Sequence, residues 1–274
     1  SAPIARVAIA CAGVFVFADG SGTLLMVNVA AIANTVVSTG ASALESNALG
    51  GAGALMISSQ GGVVDVSTST FVANSVYADN STAGTNVNSN GGAGLFLDVF
   101  SQLLTITLTD VIVADSRVYA RNNTAFSNQN GGGMYAYCGH SILLTATNVH
   151  LVNNSASFDD NVAQLTCNNG GAGLFVNGGN ITASFVNITA THNVLYGCNS
   201  VAATNYVGGA GVQVNANSYA VISLSVVRLV NNIVLANNAT ALLNTNANGG
   251  AGAWICFSLN ESFNWSLWLL TYLV

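Results

Sequence analysis

Apolar and polar side chains alternate along short stretches of this chain, and each stretch follows a glycine-rich turn. After the Gly-Gly-Ala-Gly that begins at Gly91, apolar side chains stand at Leu95 and Leu97. A second apolar stretch, Leu103 to Leu108, comes next. A period of two is typical of a strand with one buried face, so the pattern predicts short strands in succession.

A third feature closes the pattern, an apolar residue followed three places later by Asn or Asp. It occurs as Phe71/Asn74, Ile112/Asp115, Leu151/Asn154 and Leu229/Asn232, and more weakly as Ala31/Asn34 and Ala190/Asn193. A polar stretch rich in Asn, Ser, Thr and Ala then leads to the next glycines. Asn tolerates the left-handed backbone of turns, so we expect a bend at this column.

The whole pattern recurs about every forty residues. Gly-Gly-Ala-Gly begins at Gly50, Gly91, Gly170, Gly208 and Gly249, with a variant at Gly131 and a degenerate copy at Ala10, at intervals of 38 to 41 residues. No linker, charge run or composition break interrupts the seven units, so we predict a single domain over residues 1–274. The predicted inward positions of the first strand include Val16, Met56, Leu97, Tyr135, Tyr137 and Val176.

Recurring strands and turns of this kind predict an all-β, single-domain parallel β-helix (β-solenoid). We expect about seven coils of about forty residues each, with a long polar loop per coil. Equivalent residues would then stack at ~4.8 Å along the axis. Two coils per unit would double the length of the rod, but one coil is preferred because only one Gly-Gly turn and one Asn turn recur in each unit.

The repeat resembles those of the polymorphic outer-membrane proteins. The resemblance lies in Gly-Gly-Ala followed by an aliphatic strand, alternating with Phe71-Val72-Ala73-Asn74, and it covers nearly all of the chain. More broadly, the pattern is similar to right-handed parallel β-helices of the pectate-lyase type. The resemblance implies a surface-exposed or secreted protein, often an adhesive one.

Composition and charge exclude some classes of function. Charged residues make up 5% of the chain, the net charge is −6 and lysine is absent, which excludes a basic nucleic-acid surface. No apolar run reaches the roughly 20 residues that cross a bilayer, so we expect no membrane span.

The charged residues give little indication of a catalytic or metal-binding site. Four charged residues align between successive units: Asp79, Arg121, Asp159 and Asp160. We interpret them as an ion-pair ladder between loops, and an active site or a calcium site is the alternative. The three histidines share no column. We therefore expect no enzyme activity, no metal and no cofactor other than covalent N-glycans.

Asn-x-Ser/Thr sequons provide candidate glycosylation sites, since such sites are surface asparagines of secreted proteins. They stand at Asn80, Asn122, Asn153, Asn180, Asn187, Asn238, Asn260 and Asn264. Glycans would explain how a chain with few charges stays in solution, although Asn-rich loops bonded to each other are the alternative. Cys167 and Cys198 lie in adjacent units and are predicted to form a disulfide.

Two surfaces are candidates for interaction. The first is a stripe of outward residues that includes Phe15, Phe96, Phe175 and Trp254, either an interaction surface or one covered by the chain's own loops. The second is the pair of solenoid ends, where strand edges stay open. The candidate subunit contacts there are Ile4, Val7, Trp265, Leu267, Trp268 and Leu270.

These features predict an extracellular structural glycoprotein whose copies stack head to tail into a filament or surface coat, because contact between two different surfaces does not close. A private cap formed by the aromatic C-terminal segment is the alternative for the ends. A surface adhesin, binding glycans or cell surfaces, is the alternative function. A polysaccharide-active enzyme using Asp79, Arg121 and Asp160 is a third.

Overall fold

Every regular element in the described part of the chain is a β-strand. The computed structural model describes residues 7–10, 13–18, 20–40, 42–43, 46–83, 87–99, 102–198, 201–202, 204–237, 240–241, 246–248 and 251–257. All strand pairings between these residues are parallel. The predicted all-β, parallel β-solenoid is therefore confirmed.

The strands follow one another in the same order in each repeat. In the first half of the chain they are β1 (Val7–Ala10), β2 (Val14–Ala18), β3 (Ser21–Val27), β4 (Ala30–Ile32), β5 (Thr35–Thr39), β6 (Ser42–Ala43), β7 (Ser46–Gly50), β8 (Ala54–Ser58), β9 (Gly61–Ser67), β10 (Thr70–Val72), β11 (Ser75–Asp79), β12 (Thr82–Ala83), β13 (Val87–Gly91), β14 (Leu95–Val99), β15 (Leu103–Ala114) and β16 (Arg117–Arg121). In the second half they are β17 (Thr124–Asn130), β18 (Met134–Val152), β19 (Ser155–Asp159), β20 (Val162–Gly170), β21 (Leu174–Thr191), β22 (Val194–Cys198), β23 (Val201–Ala202), β24 (Thr204–Gly208), β25 (Val212–Val230), β26 (Ile233–Asn237), β27 (Thr240–Ala241), β28 (Asn246–Asn248) and β29 (Ala253–Phe257).

The described strands form three sheets, which each repeat visits in turn. The glycine-side sheet holds the strands that lead to the glycine turns: β1, β6, β7, β12, β13, β17, β20, β23, β24, β27 and β28. The long sheet follows each turn and contains β2, β3, β4, β8, β9, β10, β14, β15, β18, β21, β25 and β29. The short sheet follows the bend and contains β5, β11, β16, β19, β22 and β26.

Equivalent side chains stack from turn to turn, as the repeat predicts. Val16 pairs with Met56, Met56 with Leu97, and the column continues through Ala136 to Val176. The described residues form about five turns, against about seven predicted for the chain. The units at the two ends of the chain lie partly outside the described residues.

The fourth unit is one residue out of the predicted register. Leu95 pairs with Met134 and Leu97 with Ala136, so these residues face inward in place of Tyr135 and Tyr137. The shift arises in the glycine turn before the strand, which is Gly-Gly-Gly in this unit. Its last glycine, Gly133, takes the place that Gly94 has in the preceding unit. A shift of one residue moves a side chain to the other face of a strand.

The predicted polar loop is wrong over much of its length, where the chain is strand. Val87–Gly91, Thr124–Asn130 and Val162–Gly170 pair with one another in the glycine-side sheet. Each polar stretch meets the matching stretch one turn away, so its backbone groups are bonded in a ladder instead of by water.

The glycine turn needs its glycines for both conformation and space. Gly92 has φ 56°, and a Cβ there would lie 2.3 Å from the Leu95 carbonyl oxygen. A Cβ on Gly50 would lie 2.0 Å from the Gly91 carbonyl oxygen. Only glycine fits where the backbones of successive turns approach this closely.

Three apolar clusters hold the turns together. The main core lies inside the curved long sheet and includes Met56, Leu97, Leu144 and Val176. A second cluster packs short-sheet residues such as Val76 and Phe158 against the alanines of the glycine turns, Ala52, Ala93, Ala172 and Ala210. A third, which we call the outer layer, covers the opposite face of the long sheet with Leu55, Ile57, Phe96, Tyr135 and Phe175.

Candidate assembly interface

A buried ladder of polar side chains marks the bend between the long and short sheets. The column, which we call the bend ladder, consists of Asn34, Asn74, Ser116, Asn154, Asn193 and Asn232. The Asn154 backbone N–H donates to Asn193 Oδ1 at 3.1 Å, and Asn154 Nδ2 donates to the same oxygen at 3.0 Å. The Asn193 amide makes the same two contacts with Asn232 Oδ1, at 3.1 and 2.8 Å.

Each ladder amide also bonds toward the preceding turn. Asn154 Nδ2 donates to the Val113 carbonyl at 2.9 Å, and Asn193 Nδ2 donates to the Leu151 carbonyl at 2.8 Å. The side-chain amides of Asn154 and Asn193 therefore have the oxygen and both N–H groups bonded while fully buried. Buried amides cost little when every polar atom is paired in this way.

The contacts between ladder asparagines have a direction, because the backbone N–H and one Nδ2 hydrogen donate to Oδ1 of the next turn. Asn34 donates from its N–H and Nδ2 to Asn74 Oδ1, at 3.1 and 3.0 Å. No described residue donates to Asn34 Oδ1, and none accepts from the Asn232 backbone N–H. Asn34 and Asn232 are the first and last described members of the ladder.

The third position of the ladder corrects the sequence prediction. Ser116 occupies the column between Asn74 and Asn154, and its N–H donates to Asn154 Oδ1 at 3.1 Å. The predicted member, Asp115, lies one residue earlier in an exposed left-handed position with φ 52°. Val113 is accordingly the buried apolar partner in place of the half-exposed Ile112.

The N-terminal end of the described solenoid is an apolar edge. β2, β3, β4 and β5 each pair with the second turn only, on one side, among the described strands. The exposed apolar side chains there are Val14, Phe15, Phe17, Leu25, Val27, Ile32 and Val37. An open edge with exposed apolar groups favours pairing with another chain.

The C-terminal end is open in the same sense. Residues 219–230 of β25 and all of β26 pair only with the preceding turn, among the described strands. The core here is half-buried at Ile222, Leu224 and Leu229, which line a cavity of about 30 Å³. β29 adds the first strand of a further turn to β25, opposite Val212–Ala216.

The expected subunit contacts fall mostly outside the described residues. Five of the six lie outside the described residues: Ile4, Trp265, Leu267, Trp268 and Leu270. Only the backbone of Val7 is described, and it pairs with Ser46 in the glycine-side sheet. The contact role of these six residues stays a prediction.

The predicted ion-pair ladder is confirmed for one pair of residues, Arg121 and Asp79. Arg121 lies between Asp79 and Asp159 in the short sheet, and its guanidinium contacts Asp79 Oδ2 at 3.1 Å. Asp160 follows in an exposed left-handed position. The described residues contain no group of His, Cys, Asp or Glu arranged to hold a metal ion.

The described sequons differ in their surroundings. Asn80 and Asn122 are exposed and stack on one left-handed corner, where the N–H of Asn80 donates to the Arg121 carbonyl. Asn153 and Asn187 are exposed, but their Nδ2 groups donate to Asp115 and Asn148 at 2.6 and 2.8 Å. Asn180 is half-buried.

Three further sequons and the cysteine pair stay predictions. Asn238, Asn260 and Asn264 lie outside the described residues. The backbone places Cys167 in the glycine-side sheet and Cys198 at the end of a short-sheet strand, where they pair with Asn205 and Asn237 respectively. Their side chains are not among those described.

The predicted exposed aromatic stripe is wrong at two positions. Phe96 and Phe175 are fully buried in the outer layer, whereas Phe15 in the first turn is 48% exposed and the Trp254 side chain is not described. The glycine-side strands turn back over these rings, since a Cβ on Gly50 would lie 2.9 Å from Phe96. The aromatics are thus covered by other parts of the same chain, here by strands.

The outer layer also buries polar groups that the sequence pattern missed. Asp98, Asn177 and Gln213 are almost fully buried there, and Asp98 Oδ1 and both polar atoms of the two amides have no hydrogen-bond partner. Burial raises the pKa of Asp98 to about 7. Burial, and secondarily the Asp98 carboxylate, raises the pKa of the neighbouring Tyr137 to about 12.

Comparisons with known proteins give no relative. No protein-family model matches the chain, and no curated protein or solved structure matches it significantly. Among the described residues there is also no helix of the length and apolarity that a membrane crossing requires. The solenoid is therefore established by the strand register, and the resemblance to polymorphic outer-membrane proteins depends on the repeat motif alone.

Proposed function

We propose that this protein is an extracellular structural glycoprotein whose copies stack head to tail into a filament or surface coat. The observation that supports the proposal is the stacking of equivalent strands in register, with strands at both described ends paired on one side only among the described residues. The first-turn strands and the last-turn strands each have one side unpaired within the described chain.

The two ends have the same alternation of inward and outward side chains. Leu24 and Met26 face the core in β3, and Ile222 and Leu224 occupy the equivalent positions in β25. Val16 in β2 and Ile255 in β29 are partly buried at the two described ends of another core column, so a second copy stacked beyond β29 would continue that column. Burial of apolar area drives such association at roughly 25 cal/mol per Å².

Glycosylation is the second part of the proposal. With 5% charged residues and exposed apolar groups on its sides, the molecule needs another source of solubility. Asn80 and Asn122 are the best-placed acceptors because both are exposed on a corner. The resemblance of the repeat motif to repeats of surface proteins agrees with this interpretation.

A surface adhesin is the second candidate, supported by tyrosines on the outer face of the short sheet. Tyr77 and Tyr119 are 39% and 40% exposed, and their rings stack with centroids 5.3 Å apart. Tyr196 is exposed two turns further along the same column. Exposed tyrosines in a row suit a binding surface.

The experiment compares filament formation by two double variants. Val27→Lys with Val37→Lys places two charges on the N-terminal edge, where lysines oppose edge pairing. Leu143→Lys with Val186→Lys makes the same change at exposed positions on the side of the long sheet. We expect the first variant to abolish filaments in electron micrographs and the second to retain them.

Two outcomes would overturn the proposal. Wild-type protein that stays monomeric at high concentration in sedimentation velocity contradicts end-to-end stacking. An intact mass equal to 27.7 kDa after secretion from a eukaryotic host contradicts glycosylation. Loss of glycan or cell binding on Tyr77→Ala with Tyr119→Ala, with no filaments from the parent, would favour the adhesin.

A further inference from the structure

We propose that Tyr77 and Tyr119 form a modification site, at which oxidation joins their rings into a dityrosine cross-link between neighbouring turns of the solenoid. The two phenols are the substrate, and the co-reactant is a peroxide-dependent oxidant, namely hydrogen peroxide with a haem peroxidase. The inference goes beyond the proposed function, because the cross-link forms within one molecule and needs no second copy.

The two tyrosines already lie in contact in the folded chain. Tyr77 in β11 pairs with Tyr119 in β16, in parallel register on the outer face of the short sheet. Their ring centroids are 5.3 Å apart, and the ring planes differ by 5°. Neighbouring strands of a sheet lie ~4.8 Å apart, so the backbone keeps the two side chains at this spacing. The fold therefore holds two phenols side by side.

Both rings are also open to an oxidant. Tyr77 is 39% exposed and Tyr119 is 40% exposed. Exposed side chains change rotamer within nanoseconds, so the stacked rings can turn until an ortho carbon of one meets an ortho carbon of the other. Tyr135 differs in both respects, because it is buried and its stacked neighbours are Phe96 and Phe175, which carry no phenol.

The reaction balances in atoms and electrons. Each phenol gives up one electron and one proton and becomes a phenoxyl radical. The two radicals combine through one ring carbon each, ortho to the oxygen, and the hydrogens on these carbons then shift to the oxygens and restore both phenols. Hydrogen peroxide takes up the two electrons and two protons and leaves as two molecules of water. Holding both rings on one molecule favours their coupling over an encounter with another chain.

The composition of the column limits the cross-link to one pair of turns. Val37 precedes Tyr77 in the column and Ser157 follows Tyr119, and neither side chain is a phenol. Tyr196 lies beyond Ser157, two strand spacings or ~10 Å from Tyr119. Tyr196 is therefore an exposed tyrosine of the same column without a phenol on the next strand, and it serves as the matched control.

The positions of the arginines make the cross-link easy to locate. Trypsin cleaves after Arg117 and Arg121, and the chain has no lysine, so Tyr119 is released in a tetrapeptide of residues 118–121. Tyr77 is the sole tyrosine of the tryptic fragment 7–117. The cross-link joins these two fragments, and the mass of the product is lower than their sum by two hydrogen atoms.

The experiment treats dilute full-length protein with hydrogen peroxide and peroxidase, and then denatures and digests it. We expect wild type to gain dityrosine fluorescence and to lose at least half of the free tetrapeptide, which appears joined to fragment 7–117. Tyr196→Phe is expected to behave as wild type. Tyr77→Phe keeps an aromatic ring in the column but cannot form a phenoxyl radical, so its tetrapeptide is expected to stay free. Circular dichroism before treatment checks that both variants are folded.

A bond between residues 77 and 119 ties the second turn to the third, which gives a second measurement. A covalent cross-link between distant points of a chain lowers the entropy of its unfolded state. Oxidised wild type is therefore expected to unfold at a higher urea concentration than untreated wild type. Oxidised Tyr77→Phe is expected to show no such shift.

Three outcomes would overturn the inference. The first is unmodified wild type under conditions that dimerise N-acetyltyrosine in a parallel sample. The second is an equal loss of the tetrapeptide in wild type and Tyr77→Phe. The third is a tetrapeptide joined mainly to fragment 122–228, which contains Tyr196. None of them bears on end-to-end stacking, which electron microscopy of the untreated protein tests separately.

Discussion

Two parts of the molecule bury polar side chains, and they do so with opposite results. In the bend ladder, Asn154 and Asn193 are fully buried and each polar atom of their side chains is bonded. In the outer layer, Asp98, Asn177 and Gln213 are as deeply buried, but most of their polar atoms have no partner. Burial depth alone therefore does not distinguish the two groups.

The difference lies in what the repeat supplies to each column. At the bend, Asn154 and Asn193 each meet a backbone carbonyl from the preceding turn and a side-chain amide from the next turn. On the outer face of the long sheet, all backbone groups are already used between strands, and the column neighbours of Asp98 are Ile57 and Tyr137. A buried polar residue is stabilised only where stacking brings it a partner.

The largest expected effect is a pH dependence from Asp98. Burial raises the pKa of this carboxyl to about 7 in the folded protein, against 3.8 as its ordinary value. The folded state therefore binds more protons than the unfolded state between these values, and stability falls as pH rises through this window. The loss from pH 4 to pH 8 amounts to roughly 4 kcal/mol, at about 1.4 kcal/mol per pKa unit.

Urea unfolding at several pH values measures this loss, with Asp98→Asn as the control that cannot ionise. The wild-type free energy of unfolding is expected to decline relative to that of the variant as pH rises. Parallel curves for the two proteins would show that the folded state does not shift this carboxyl.

The second-largest change in the free energy of unfolding is expected from a substitution in the bend ladder. Asn193→Leu removes the acceptor for two Asn154 groups and leaves the Asn154 N–H and the Leu151 carbonyl buried without their partner. We expect a loss of about 3 kcal/mol, because each orphaned buried group costs roughly 1–3 kcal/mol. Chemical denaturation gives the value. Asn180→Leu, at a half-buried position with one long contact of 3.5 Å to Ser141, serves as the comparison and should change little.

The same substitution in the outer layer is expected to have the opposite sign. Asn177→Leu replaces an amide without partners by an apolar side chain of similar volume beside Phe175. We expect a gain of about 1–2 kcal/mol, since the desolvation cost of the amide disappears. A higher denaturation midpoint would support this. A destabilisation as large as that of Asn193→Leu would remove the distinction between the two regions.

The smallest effect is expected at the exposed ion pair. Arg121 is 58% exposed and contacts Asp79, which is 32% exposed, at 3.1 Å. Exposed pairs contribute about 0–1 kcal/mol, so Arg121→Ala should lower stability by less than about 0.5 kcal/mol. Thermal denaturation at low and high salt measures it. A loss above about 2 kcal/mol would indicate a structural role for this column.

The repeat made the solenoid and the bend ladder predictable, because stacking in register follows from strict return of side-chain type. Asn74, Asn154 and Asn193 were recognisable from their spacing to an apolar residue. Ser116 was not, since Asp115 beside it is the commoner turn residue and the shift by one residue shows only in the pairing.

The outer layer was not predictable for a different reason. Asp98 and Phe96 occupy outward positions of a strand, and an outward side chain normally meets solvent. Their burial depends on a stretch rich in Asn and Ser that returns over them as strands β7 and β13. Such a composition is typical of loops, so no local signal distinguishes a covering strand from a loop.

The turn-by-turn register also has a mechanical consequence. Each turn contacts only its neighbours, so a force applied between the two chain termini detaches turns from an end one after another. A turn of 40 residues occupies ~4.8 Å of the axis when folded and spans roughly 140 Å when extended. A single molecule pulled in a force spectrometer would therefore lengthen in nearly equal steps and dissipate work at each one.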